Sequence, residues 1–139
     1  MELAPVPSSA GMTPGSELAG KVALVTGGAR NIGRAIARSL AAGGAAVMVN
    51  ARTSRADAIQ TVAMINNAGG RAALHVADVT DPQAVAAMVD AAVKEFGRLD
   101  VLINNAAIRV ETPFPDIRFE EWRQVLGTVL DGEIGRAHV

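Results

Sequence analysis

Residues 21–37 read KVALVTGGARNIGRAIA, and the fold of the chain can be worked out from this stretch. Val22–Val25 is a short apolar run rich in valine, which predicts a buried strand. Two glycines interrupt the run, and apolar residues then return at Ile32, Ile36 and Leu40, a spacing of four that is typical of a helix. The stretch therefore predicts a strand that turns through glycines into a helix.

A turn of this kind is suited to hold a phosphate group. The free N–H groups of the helix and the positive end of its dipole point at whatever lies above the turn. Glycine is needed there because a side chain would block close approach of the backbone, or because φ is positive. Residues 26–33 follow the pattern Thr-Gly-x-x-x-Asn-x-Gly rather than the common dinucleotide pattern Gly-x-Gly-x-x-Gly.

The composition of the chain argues against several classes of protein. Its 139 residues suffice for one domain, and a net charge of −1 gives no electrostatic reason to expect nucleic acid or an anionic membrane as a partner. Cysteine is absent and the two histidines lie far apart, which argues against disulfides, thiolate chemistry and a structural zinc site. No stretch has the length of a membrane span, and no cationic leader precedes an apolar one, so we expect a cytoplasmic protein.

Apolar runs alternate with helical patterns along most of the chain. Residues 1–20 are the exception, because their prolines and serines and their lack of a period are typical of a disordered or loosely attached arm. The alternation predicts an α/β fold, a doubly wound parallel sheet built from right-handed βαβ units. Further strands are predicted at residues 46–50, 72–77 and 99–104. Further helices are predicted at residues 54–68, at residues 80–96 with Thr80 as the N-cap, and from Glu120 onward. The apolar residues that share one face of the last helix are Trp122, Val125, Leu126, Val129 and Leu130.

A parallel sheet of this kind binds its ligand at the carboxyl ends of the strands, where the strand order reverses. Three loops should meet there: the glycine turn, the segment after Asn50 and the segment after Asn104. Residues far apart in sequence are therefore expected to line one site.

Four motifs in this order and spacing resemble the short-chain dehydrogenase/reductase family in its classical branch, which includes the 3-oxoacyl-ACP reductases. They are residues 26–33 (TGGARNIG), 77–80 (ADVT), 104–107 (NNAA) and 122–125 (WRQV). The resemblance implies a Rossmann-type NAD(P)-binding domain over residues 21–132. It covers the nucleotide-binding half of the family's domain and stops after the fourth strand and the helix that follows it.

The resemblance implies a role for each residue that matches a family motif. Asp78 would accept a hydrogen bond from the adenine amino group, with Val79 beside the ring, although Asp78 could instead only begin a turn before Thr80. Asn104 could only tie neighbouring strands together, and Ile32 is expected to belong to the core as well as to the wall of the site. The residues expected to line the pyrophosphate and its ribose are Gly27, Arg30, Ile32 and Gly33, and those expected along the nicotinamide ribose are Asn105, Ala106 and Ala107. Asn31 and Asn50 are also expected among the cofactor-binding residues.

The segment after the second predicted strand favours NADP over NAD. A carboxylate there would bind the ribose 2′-hydroxyl and repel a 2′-phosphate, but the segment reads Asn50-Ala51-Arg52, with no acid before Asp57. The guanidinium of Arg52 offers a planar donor fork suited to a phosphate, and Arg30 lies in the adjoining turn. The alternative is that both arginines are solvated surface charges.

The chain departs from the family pattern at three positions. Asn31 replaces a glycine, but asparagine also tolerates a left-handed conformation, so the turn is expected to survive. Ala107 replaces the glycine of the family's Asn-Asn-Ala-Gly motif, which narrows the nicotinamide pocket. Val129 stands where the family usually has an asparagine that supports its proton relay, which is serious for catalysis.

The catalytic residues of the family are not found in this chain. A serine, a tyrosine and a lysine four residues after the tyrosine carry out the family's chemistry, and the chain contains no tyrosine. Residues 133–139 (EIGRAHV) can be read back as GAG ATC GGA AGA GCA CAC GTC, a common sequencing-library adapter. We therefore expect a non-native tail of translated adapter joined to an incomplete gene.

The resemblance implies two functions from different classes. The first is an NADP-dependent oxidoreductase that interconverts a ketone and a secondary alcohol of a small molecule, as a homo-oligomer, with the present chain inactive by itself. The alternative is a non-catalytic module that binds and senses a dinucleotide.

Overall fold

The computed structural model describes residues 15–133, in which four parallel strands form one sheet. Residues 1–14 of the predicted arm and residues 134–139 of the predicted tail lie outside this range. In chain order the elements are β1 (Val22–Val25), α1 (Asn31–Ala42), β2 (Ala46–Ala51), α2 (Arg55–Asn67), β3 (Arg71–Val76), α3 (Pro82–Phe96), β4 (Val101–Ile103) and α4 (Phe119–Val129), with single 3-10 turns at Phe114–Asp116 and Asp131–Glu133.

The strand order across the sheet is β3-β2-β1-β4. The chain moves outward from β1 to β3 and then crosses back to place β4 on the other side of β1. Val25, near the carboxyl end of β1, pairs with Val49 of β2 on one side and with Ile103 of β4 on the other. The predicted α/β doubly wound sheet is therefore confirmed, and its order reverses at β1.

Both faces of the sheet are covered, which explains why its inner strands are apolar except for the buried Asn50 of β2. Adjacent residues of β1 point to opposite faces, and Leu24 and Val25 consequently belong to different cores. The core that contains Val25 packs against α1 and α2, which contribute Ala37, Ala58 and Ile65. The core that contains Leu24 packs against α3, which contributes Met88 and Ala92.

The side chain that caps α3 is Asp81 rather than the predicted Thr80. The Asp81 carboxylate accepts hydrogen bonds from the backbone N–H groups of Gln83 (2.9 Å) and Ala84 (3.3 Å). The Thr80 hydroxyl turns the other way and donates to Asp78. The shift by one residue places a charged acceptor, rather than a neutral one, at the positive end of α3.

The folded domain begins earlier than the sequence predicts. The backbone N–H of Leu18 donates to the carbonyl of Gly43 at 2.8 Å, and the Leu18 side chain packs against the core beneath α1. Residues 15–20 therefore belong to the domain, and the prediction of a loosely attached arm is wrong for them. The apolar side chain of Leu18 is the physical reason, because it becomes partly buried against the core, which the surrounding prolines and serines do not reveal.

The helix α4 keeps much of its apolar surface in contact with solvent. The side chains of Trp122 and Leu130 are 56% and 55% exposed, and Val129 is also exposed. Within residues 15–133, no helix combines the length and the apolar character needed to cross a bilayer.

Candidate functional site

A cleft of about 380 Å³ lies at the carboxyl ends of the strands, where the strand order reverses. All the residues that the sequence analysis selected for cofactor binding line it, although their role in binding remains a prediction. They are Gly27, Arg30, Asn31, Ile32, Gly33, Asn50, Arg52, Asp78, Val79, Asn105, Ala106 and Ala107.

Several further residues line this cleft that the sequence patterns did not predict, among them Ser54, Ile108 and Thr128. Ser54 and Ile108 follow predicted strands by a few residues, so the rule on carboxyl ends could have found them. Thr128 comes from α4, and only its position next to Val129 hinted at it.

The glycine turn brings the start of α1 against the segment after β4. Gly27 has a φ of +63° and Asn31 a φ of +48°, so the asparagine does adopt the left-handed conformation that the sequence predicts for it. A Cβ at Gly33 would lie 2.2 Å from the carbonyl oxygen of Gly27 and 2.5 Å from the side-chain nitrogen of Asn105. Gly33 is therefore required for close packing.

Ile32 lines the cleft but does not belong to the core. Its side chain is 71% exposed, because it lies in the first turn of α1 and points away from the sheet. The prediction that Ile32 serves as both core and wall is wrong in its first part. Helical spacing placed Ile32 in line with Ile36 and Leu40, but only those two reach the core.

Asn50 is 1% exposed, and its side chain makes hydrogen bonds within the protein. Its Oδ1 accepts a hydrogen bond from the backbone N–H of Gly27 (3.3 Å), and its Nδ2 donates to the carbonyl of Ala77 (3.0 Å). The carbonyl of Asn50 also accepts from the N–H of Gly28 (2.9 Å). Asn50 therefore joins the glycine turn to the segment that follows β3, which sets the spacing of two walls of the cleft.

Thr26 and Asn105 join the glycine turn to the segment after β4. The Thr26 hydroxyl donates to the carbonyl of Ile103 (3.2 Å) and accepts from the backbone N–H groups of Asn105 and Ala106, both at 3.0 Å. The Asn105 side chain donates to the carbonyls of Thr26 (3.0 Å) and Gly27 (3.1 Å). Asn105 thus makes the link between neighbouring strands that was expected of Asn104, while Asn104 is exposed.

Two arginines lie at the end of the cleft next to β2, and each has a carboxylate partner. Arg30 lies 3.6 Å from Asp57, and Arg52 lies 3.8 Å from Asp78, measured between nitrogen and oxygen. Both arginines remain exposed, and their role in binding a phosphate, like the alternative that they are solvated surface charges, stays a prediction.

The carboxylate of Asp78 has two separate sets of contacts. Its Oδ1 accepts from the backbone N–H (2.9 Å) and the hydroxyl (2.8 Å) of Thr80, and its Oδ2 faces Arg52. The hydrogen bond from the Thr80 N–H does most to lower the pKa of Asp78, with help from the Thr80 hydroxyl and Arg52 and against the effect of burial. Asp78 therefore forms the turn that the alternative proposed and also presents an ionised oxygen to the cleft.

The chain contains no tyrosine, the residue that the resemblance implied as the general acid. Val129 is exposed and does not line the cleft, whereas its neighbour Thr128 is buried and does. Among residues 15–133, no cluster of three or more histidine, aspartate or glutamate side chains is placed to hold a metal ion.

The sequence of this chain matches a known protein family and several of its members. Residues 21–135 match the family model described as short chain dehydrogenase. An uncharacterised oxidoreductase of Methylorubrum extorquens is 42% identical over 129 residues, which cover 89% of this chain and 52% of the relative. The 3beta-hydroxysteroid dehydrogenase 1 of Eggerthella lenta is 40% identical over 116 residues, which cover 84% of this chain and 44% of the relative.

Among solved structures, a short chain dehydrogenase from Burkholderia cenocepacia in complex with NADP superimposes with a TM-score of 0.80 at 41% identity. The match covers 84% of this chain and 47% of that one. The chain thus spans about half the length of these relatives.

Proposed function

Because this chain belongs to the short-chain dehydrogenase family, we propose that it is the cofactor-binding half of an NADP-dependent oxidoreductase that interconverts a ketone and a secondary alcohol. The observation that carries the choice of cofactor is the pair Arg30 and Arg52 at the end of the cleft next to β2. The matched hydroxysteroid dehydrogenase is named for a hydroxyl-bearing substrate, and the matched Burkholderia structure contains NADP. A cytoplasmic location and a homo-oligomeric parent remain predictions.

The chemistry of the cleft fits a dinucleotide. Among the described residues, α1 has no capping side chain and no acidic residue in its first turn, which leaves its N–H groups for an external anion. The guanidinium groups of Arg30 and Arg52 would hold a 2′-phosphate, and Asp78 and Val79 would hold the adenine. When bound, the cofactor supplies hydride transfer at its nicotinamide ring. The protein's part is to fix the position of the cofactor through the ties that Asn50 and Asn105 make.

The proposal is tested by measuring the binding of NADPH and NADH to the 139-residue chain and to its Arg52→Asp variant. The unchanged chain should prefer NADPH, and the variant should reverse the preference. Each lost charge-assisted contact to phosphate is worth roughly 1.5–3 kcal/mol, or about 10- to 150-fold in dissociation constant.

The matched control is Arg38→Asp, which makes the same charge change at an exposed position of α1 outside the cleft. It should leave the preference unchanged. Equal affinity of the unmutated chain for NADPH and NADH would count against an NADP-dependent enzyme.

The second candidate function is a dinucleotide-sensing module without catalysis. It is favoured by Val129 in the position of the family's asparagine and by the lack of tyrosine in the sequence. Sequencing the native gene beyond Gly132 decides between the two functions. A Tyr-x-x-x-Lys motif downstream would exclude the sensor and support the oxidoreductase.

A further inference from the structure

We propose that Asp57 and Asp78 act as internal anions that compete with the 2′-phosphate for Arg30 and Arg52, and so determine how strongly the chain prefers NADP. This inference rests on the proposed function and deepens it. In the described structure the two arginines are already paired with carboxylates. Each arginine already has a carboxylate within 4 Å of one guanidinium nitrogen, so a bound phosphate competes with that carboxylate for the positive charge.

The two ion pairs are loose enough to exchange. Their nitrogen–oxygen distances of 3.6 and 3.8 Å exceed the roughly 2.7–2.9 Å of a charge-assisted hydrogen bond. All four side chains are between 39% and 62% exposed, so water can solvate the groups while they change partners. Pairs of this kind contribute little to stability. A phosphate with about two negative charges and several acceptor oxygens is the stronger partner.

Asp57 has a second cation to which it can turn. Arg34 lies 4.0 Å from the Asp57 carboxylate, on the opposite oxygen from the one that faces Arg30. The Arg34 guanidinium is fixed by hydrogen bonds to the carbonyl of Ala29 (3.0 Å) and the hydroxyl of Thr61 (2.9 Å). Asp57 can therefore release Arg30 without being left as an unpaired charge.

Asp78 likewise keeps its partners when it releases Arg52. Thr80 holds Oδ1 through two hydrogen bonds, so the carboxylate stays in place. Only Oδ2 loses its ion-pair contact, and without the nearby guanidinium it is a stronger acceptor for the adenine amino group. The exchange thus links recognition of the phosphate to recognition of the base, and NAD, which has no 2′-phosphate, cannot drive it.

The first test is to measure the binding of NADP and NAD to the 139-residue chain and to Asp57→Asn. Without the competing charge, NADP should bind about two- to fivefold more tightly, whereas the affinity for NAD should rise less, because NAD has no 2′-phosphate. The control is Asp90→Asn, which makes the same change of net charge on an exposed residue of α3 outside the cleft. It should alter neither affinity. An equal change for NADP and NAD in Asp57→Asn would overturn the role of Asp57.

The second test is a double-mutant cycle with Asp78→Asn and Arg52→Gln. Asp78→Asn should weaken NAD binding but raise the ratio of NADP to NAD affinity about two- to fivefold. In the Arg52→Gln background the same substitution should leave that ratio unchanged. If the ratio rises equally in both backgrounds, or in neither, Asp78 does not act through Arg52.

The two tests separate this inference from the proposed function. Binding of NADP with a ratio that no aspartate variant moves overturns the competition but leaves the function standing. If the unmutated chain shows a cooperative thermal melt and binds neither dinucleotide, the proposed function and the competition between carboxylates and phosphate are both overturned. If the chain shows no such melt, the same variants are measured in the full-length protein encoded by the native gene.

Discussion

At the scale of single residues, Gly33 has the least room for a side chain among the glycines of the described structure. A Cβ there would lie 2.2 Å from the Gly27 carbonyl oxygen. We expect Gly33→Ala to push α1 away from the turn, lower the free energy of unfolding by roughly 1–3 kcal/mol and abolish NADP binding. Thermal unfolding and a titration with NADP measure the two effects.

Gly127 provides the matched control for this substitution. It lies inside α4, and the nearest atom to an added Cβ is the Thr80 methyl carbon at 3.8 Å. Gly127→Ala should therefore raise the free energy of unfolding by about 0.5–1 kcal/mol, since alanine favours a helix. Equal stability of Gly33→Ala and the unmutated chain would show that the turn can relax.

Two residues of the cleft, Asn50 and Asn105, illustrate what the sequence could and could not predict. The end of the second predicted strand identified Asn50, and motif spacing identified Asn105, as residues of the site, and both line it. The sequence did not show that their side-chain amides already make hydrogen bonds within the protein. Their partners lie 23 residues away in the case of Asn50 and Gly27, and 79 residues away in the case of Asn105 and Thr26. Such contacts depend on how the strands are ordered, which a local pattern does not contain.

At the scale of elements, the start of α3 depends on Asp81. Its carboxylate accepts two of the backbone N–H groups that a helix leaves unpaired at its N-terminus. Asp81→Ala should lower the free energy of unfolding by about 0.5–2 kcal/mol, as measured by denaturant titration. Thr80→Ala is the comparison, because the Thr80 hydroxyl does not cap the helix. An equal loss in both variants would argue against Asp81 as the cap.

The junction between β1 and β4 should make the domain sensitive to acid. Asp100 accepts a hydrogen bond from the N–H of Val22 at 2.9 Å and is also bonded by Arg98. The bonds from Arg98, then that from Val22, hold the pKa of Asp100 below its usual value. A lowered pKa in the folded state means that this stabilisation is complete above the usual aspartate pKa and is lost as the pH falls through the folded value.

The test of this sensitivity compares melting temperatures of the unmutated chain and Asp100→Asn across pH. Asparagine can still accept the Val22 N–H but carries no charge for Arg98. The variant should melt at a lower temperature near neutral pH, and the difference should shrink as the pH falls below the usual aspartate range. A difference that stays constant with pH would mean that the charge of Asp100 does not stabilise the fold.

The bounds of the strands show which parts of the fold apolar patterns in the sequence can predict. Apolar runs bounded by glycine predicted β1 at its observed bounds, because a strand covered on both faces has few alternatives. They overestimated the length of β4, which covers only Val101–Ile103. The Asp100 side chain accepts the N–H of Val22 at the start of β1, and the N–H of Asn105 donates to the Thr26 hydroxyl. Strand ends are decided by such side-chain contacts with distant segments.

At the scale of the whole molecule, we predict that the 139-residue chain is catalytically silent and only marginally stable. It contains no tyrosine, and the apolar side chains of Trp122 on α4 and of Leu130 just after it are largely exposed. A domain has only about 5–15 kcal/mol of stability in total. At about 25 cal/mol per Å², leaving several hundred Å² of apolar surface in water removes a large part of it. We therefore expect aggregation or a low melting temperature.

This prediction is checked by a thermal melt of the purified chain with and without NADP, together with an assay of ketone-dependent NADPH oxidation. Binding of NADP should raise the melting temperature, because a ligand stabilises the state to which it binds. A monomer with a high, cooperative melt would contradict the expected stability, and any turnover would contradict the expected inactivity.

The hydroxyl of Thr26 has a consequence for amide hydrogen exchange. It accepts the N–H groups of Asn105 and Ala106, which belong to no helix or strand. These two amides can reach solvent only when the end of β1 separates from the segment after β4, because Thr26 is 1% exposed. They should therefore exchange at the slow rate of the central strands, so that a segment without regular structure reports the opening of the sheet itself.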